Sequence, residues 1–84
     1  MGVFMVERNL KGISMEALAG AQAAAIANSD GGPVTYLRST FAPEDGRCFC
    51  LFEGPDADAV RQVNDAAGLP YSAITPALDL PRPA

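Results

Sequence analysis

The chain has 84 residues, 49% of them hydrophobic and 19% charged, with a formal net charge of −4. These are the values of one small globular domain, near the lower size limit for folding alone, and they exclude a disordered segment. Lys11 is the single lysine, so there is no basic field to neutralise phosphates, and nucleic acid and anionic membranes are excluded as partners. No apolar run approaches the roughly 20 residues of a membrane span and no leader pattern opens the chain, so a cytoplasmic protein with reduced thiols is expected.

Val3 to Arg8 reads as a first strand, with Phe4 and Val6 on one face and Val3, Met5 and Glu7 on the other. Ser14 is a good N-cap, and Glu16 in the first turn suits the helix dipole, so a helix is expected to about Ser29. Met15, Leu18, Ala19, Gln22 and Ile26 follow the spacing of its buried stripe. Asp30-Gly31-Gly32-Pro33 ends the helix.

Val34 to Ala42 is a second strand that alternates Val34, Tyr36, Arg38 and Thr40 against Thr35, Leu37, Ser39 and Phe41. The turn Pro43-Glu44-Asp45-Gly46 joins it as a hairpin to Arg47–Glu53. That third strand is apolar on both sides, with Cys48, Cys50 and Phe52 on one face and Phe49 and Leu51 on the other, so both faces of its sheet need cover. Asp56 caps a second helix to about Ala67, whose inner stripe is Val60, Val63, Asn64 and Ala67. Ile74 to Leu80 forms a last strand, which Pro76 confines to a sheet edge, and residues 81–84 are a tail that frays or touches a partner.

The order βαββαβ is the ferredoxin-like α+β plan over residues 1–80: a four-stranded antiparallel sheet, first and third strands central, with two helices on one face. The helices are expected over Phe4, Val6, Leu37, Cys50 and Phe52. The opposite face then carries Val3, Met5, Val34, Tyr36, Phe49 and Leu51, with Glu7, Arg38, Arg47 and Glu53 at its margins, and no element of the chain remains to cover it. An apolar face of that extent marks an interface or a ligand site. A second copy packed on it about a two-fold axis gives a homodimer enclosing a barrel-like space.

Four segments carry a family resemblance: Phe4-Met5-Val6-Glu7-Arg8, Val34-Thr35-Tyr36-Leu37-Arg38-Ser39, Cys50-Leu51-Phe52-Glu53, and Ala59-Val60-Arg61 followed by Ala67-Gly68-Leu69-Pro70. In order and spacing the chain resembles a small bacterial family of ferredoxin-like proteins, mostly of unknown function, that includes a nickel-binding protein. The resemblance implies a dimeric α/β barrel and, for some members, bound nickel. Members often place histidine where this chain has Arg38 and Val63, and the chain has no histidine at all. Imidazole is the usual nitrogen ligand for nickel and a guanidinium repels a metal ion, so no cofactor is expected, with nickel left open only by the resemblance.

Glu7, Tyr36, Arg38 and Glu53, beside Met5, Phe49 and Leu51, are the candidate site for a small hydrophobic ligand, against the plainer reading of a structural salt bridge. Gln22 and Asn64 stand on helix stripes and need hydrogen-bond partners if buried, as caps to the core or as groups facing a cleft. Cys48 and Cys50 are half of a soft-metal site that no further Cys or His completes, and core packing is the plainer reading. The function these features support is a small dimeric ligand-binding protein without histidine ligands. The alternative is a cofactor-free enzyme, of isomerase, cyclase or oxygenase type, acting on a hydrophobic substrate; it rests on fold analogy.

Overall fold

The structure, a computed structural model, describes residues 1–84. Its elements are β1 (Gly2–Asn9), α1 (Met15–Ser29), β2 (Thr35–Ala42), β3 (Arg47–Gly54), α2 (Ala57–Ala66) and β4 (Ala73–Ala77). The strands pair antiparallel in the order β2-β3-β1-β4, which makes β1 and β3 central and leaves Pro76 on an edge, where its missing N–H breaks no ladder. Ser14 Oγ accepts from Ala17 N at 3.0 Å and an Asp56 carboxylate oxygen accepts from Ala59 N at 2.8 Å, so both helices start at the expected caps. The last strand is shorter than expected, ending at Ala77 rather than Leu80.

Cross-strand rows define the face beneath the helices. Tyr36, Phe52, Phe4 and Pro76 form one row, Ser39, Cys50, Val6 and Ile74 the next, and Phe41, Cys48 and Arg8 the third. Phe4, Val6, Val34, Cys48, Cys50, Phe52, Ala25 and Val60 are the buried core, and only 13 of 84 residues are buried, so the interior is thin.

The register of β2 corrects the expected faces. A bulge falls between Tyr36 and Arg38: Tyr36 lies opposite Phe52, yet Arg38 lies opposite Leu51, so Leu37 is the extra residue. Ser39 and Phe41 lie under the helices as expected, but before the bulge the phase reverses. Val34 and Tyr36 belong to the helix side, not the open face, and Leu37 is 36% exposed and outside the core. The reversal lets Tyr36 meet Phe52 edge-on, ring centroids 5.5 Å apart, and sets Val34 in the core with Val60.

The stripe of α1 is also corrected. Met15 is 73% exposed and Ile26 47%, whereas Ala25 and Ser29 are buried, so the helix presses on the sheet near its C-terminal end. Gly46, with φ of +76°, holds the β2–β3 turn against the segment after β1: Leu10 N–H donates to Gly46 O at 2.6 Å, and a Cβ at Gly46 would overlap the Lys11 backbone.

The open face carries the rows Val3–Glu53–Thr35 and Met5–Leu51–Arg38, with Glu7–Phe49–Thr40 beyond them. It is not left wholly bare by the chain. Asp79, two residues past β4, forms an ion pair with Arg38 on the far edge strand, so the C-terminal segment crosses the sheet, about 14 Å at normal strand spacing. Leu78 and Leu80, flanking Asp79, are 96% and 92% exposed.

Candidate functional site

Small side chains on α1 do not fill the space above the sheet. Where the N-terminal part of the helix stands away from β2 and β3, a cavity of about 170 Å³ remains, with 11 hydrophobic residues among the 14 that line it. Leu18, Ala21 and Gln22 border it from α1, and Tyr36, Cys50 and Arg8 from the sheet. No carboxylate lines it.

A directed chain of hydrogen bonds runs along its sheet side. Gln22 Nε2 donates to Tyr36 OH at 3.0 Å, and Ser39 Oγ donates to Cys50 Sγ at 3.0 Å. Because Ser39 spends its one hydroxyl proton on Cys50, the 2.7 Å bond between Tyr36 OH and Ser39 Oγ has Tyr36 as donor. Cys50 Sγ also accepts from Arg8 Nε at 3.4 Å and stands 3.8 Å from Cys48 Sγ. Burial, and then the neighbouring Cys50, push the Cys48 thiol up to about 11, so it is protonated at neutral pH.

Arg8 is the residue that the sequence reading passed over. It is only 4% exposed and has no carboxylate partner: the two ion pairs of the molecule are Arg38–Asp79 and Arg61–Asp58. Its guanidinium donates instead to three acceptors that are not carboxylates, Asn64 Oδ1 at 2.6 Å, Pro70 O at 3.1 Å and Cys50 Sγ. Asn64 is turned for this role by its own Nδ2, which donates one turn back to Val60 O at 2.9 Å. The signal was present, since Arg8 continues the alternation of Phe4 and Val6 on the helix side of β1.

The residues expected to form one site are divided by the sheet. Glu7, Arg38, Glu53, Met5, Phe49 and Leu51 lie on the open face, while Tyr36 lies beneath α1. Arg38 is engaged by Asp79 and makes no ion pair with Glu7 or Glu53, and Arg47 stacks 5.1 Å from the Phe49 ring centre. Gln22 and Asn64, by contrast, both reach into the helix–sheet interior, Gln22 from the rim and Asn64 from full burial.

Residues 4–76 match the family described as nickel responsive protein SCO4226-like. The crystal structure of SCO4226 from Streptomyces coelicolor A3(2) superposes with a TM-score of 0.79 at 31% identity, covering 98% of this chain and 99% of that one. No curated protein matches the chain. Nickel does not fit the donors present here: there is no histidine, and no three His, Cys, Asp or Glu side chains stand close enough to hold an ion.

Proposed function

The chain belongs to the nickel-responsive SCO4226-like family, and within it we propose a small dimeric ligand-binding protein whose ligand is a compact apolar molecule held beneath α1. The cavity is the observation that carries this reading. An apolar cavity of about 150 Å³ takes up benzene, so the 170 Å³ here suits a single ring or a short branched chain. Tyr36 and Ser39, at its wall, offer the few polar contacts that orient such a ligand.

Binding is favoured over the cofactor-free enzyme. With no carboxylate in the lining and no histidine in the chain, a substrate in this cavity meets neither a carboxylate nor an imidazole base, and the Cys48 thiol is held protonated. The thin core and the apolar rows of Val3, Met5, Phe49 and Leu51 support a homodimer through the open face. Reduced Cys48 and Cys50 agree with a cytoplasmic setting, and no helix is long and apolar enough to cross a membrane.

The test is an amide-resolved NMR titration of the protein with benzene, phenol and short branched alcohols. Shifts confined to α1, β2 and β3 are expected, and Ala21→Leu, which fills the cavity, should abolish them. Absence of localised shifts for every compound, or shifts unaltered in the folded Ala21→Leu protein, overturns the reading.

A further inference from the structure

We infer that Cys48 and Cys50 form a two-thiolate site for one monovalent thiophilic cation, of the copper(I) or silver(I) class, with Arg8 balancing its charge. The two side chains leave β3 on the same face and bring their sulfurs to 3.8 Å. A metal–sulfur bond of about 2.3 Å spans roughly 3.8 Å between sulfurs at a tetrahedral angle and about 4.6 Å when the ion lies in line with them. An ion held by two sulfurs alone takes the in-line form, so the sulfurs must part by roughly 0.8 Å, a shift within reach of torsion about the two Cys side chains. A disulfide instead needs sulfurs about 2.0 Å apart, on Cα atoms that extended backbone keeps near the outer limit for such a bond.

Charge selects the valence. Two neutral thiols and one monovalent cation give a complex of charge −1 and release two protons, and that complex cancels the +1 of buried Arg8, whose Nε already donates to Cys50 Sγ. A divalent ion would give a neutral unit, leave Arg8 without a counter-charge and require further donors. No third His, Cys, Asp or Glu is placed to supply them. Thiolate sulfur favours soft ions such as copper(I), and two-sulfur ligation leaves such an ion satisfied where zinc or nickel would not be. The Ser39 hydroxyl and the Arg8 guanidinium, both donating to Cys50 Sγ, are the outer contacts that steady a charged sulfur. Both sulfur residues line the 170 Å³ cavity, which gives an ion room to enter.

The test is anaerobic titration of the whole protein with copper(I) against a chromophoric copper(I) chelator, read together with native mass spectrometry. One copper per chain is expected, with a mass gain of one copper less two protons, and the uptake should fall to none in Cys48→Ser and in Cys50→Ser. Failure to withdraw copper from the chelator, or a full equivalent retained by either folded variant, overturns the inference. Should a variant not fold, copper-edge X-ray absorption of the wild-type complex decides: a sulfur-only first shell supports the site, and a shell dominated by nitrogen or oxygen refutes it.

Discussion

Arg8 shows how one residue can set the chemistry of a small interior. A guanidinium buried without a carboxylate is costly unless its donors are satisfied, and three acceptors, from α2, from the loop after it and from β3, meet that need. The same residue places a positive charge beside Cys50, while burial dominates at Cys48. The folded Cys48 thiol keeps its proton to about pH 11, whereas its ordinary value is 9.0. Between those values the unfolded chain binds fewer protons than the folded one, so stability should fall as pH rises from about 9 to 11 and be unaffected by this group below 9. Urea unfolding across that range should show the decline, and Cys48→Ala should flatten it; a decline of equal steepness in the variant would assign it to other groups.

Among the elements, β2 and the turn after it decide most. The bulge at Leu37 swings Val34 and Tyr36 under the helices, which puts the Tyr36 hydroxyl in the cavity wall instead of on the open face. The turn is fixed by Gly46, whose left-handed conformation and close approach to Lys11 leave no space for a side chain. Gly46→Ala should cost more than the ~1–2 kcal/mol of a left-handed residue alone, because the Lys11 backbone must also move. Denaturant unfolding with an unchanged m-value would register this, and a loss below 1 kcal/mol would mean that the turn relaxes freely. Apart from the end of β4, the strands, caps and turn were legible in the sequence because each depends on residues within a few positions. The bulge was not: Thr35-Tyr36-Leu37-Arg38 contains no glycine or proline to mark it, and it arises because Tyr36 and Val34 pack against Phe52 and Val60 from distant segments.

For the whole molecule the open face is the unresolved demand of an 84-residue chain with a thin core. The C-terminal segment crosses it through Asp79, but this ion pair is partly exposed and contributes at most about 1 kcal/mol. Leu51 and Met5 remain in the middle of the face, so Leu51→Lys, which places a charge there, should convert a dimer to a monomer in light-scattering molar mass at micromolar concentration. A wild-type protein that is already monomeric at that concentration would remove the proposed interface.

Alternating hydrophobicity, two N-caps and a single proline on the last strand were enough to determine the βαββαβ order, the central places of β1 and β3, and the edge position of β4, since each signal is local or sets only which face a side chain takes. Only the folded chain decided where the cavity lies, which partners satisfy Arg8, and that Asp79 reaches Arg38. These depend on how far α1 stands from the sheet and on contacts between residues 41 to 62 positions apart, distances over which sequence pattern carries no register.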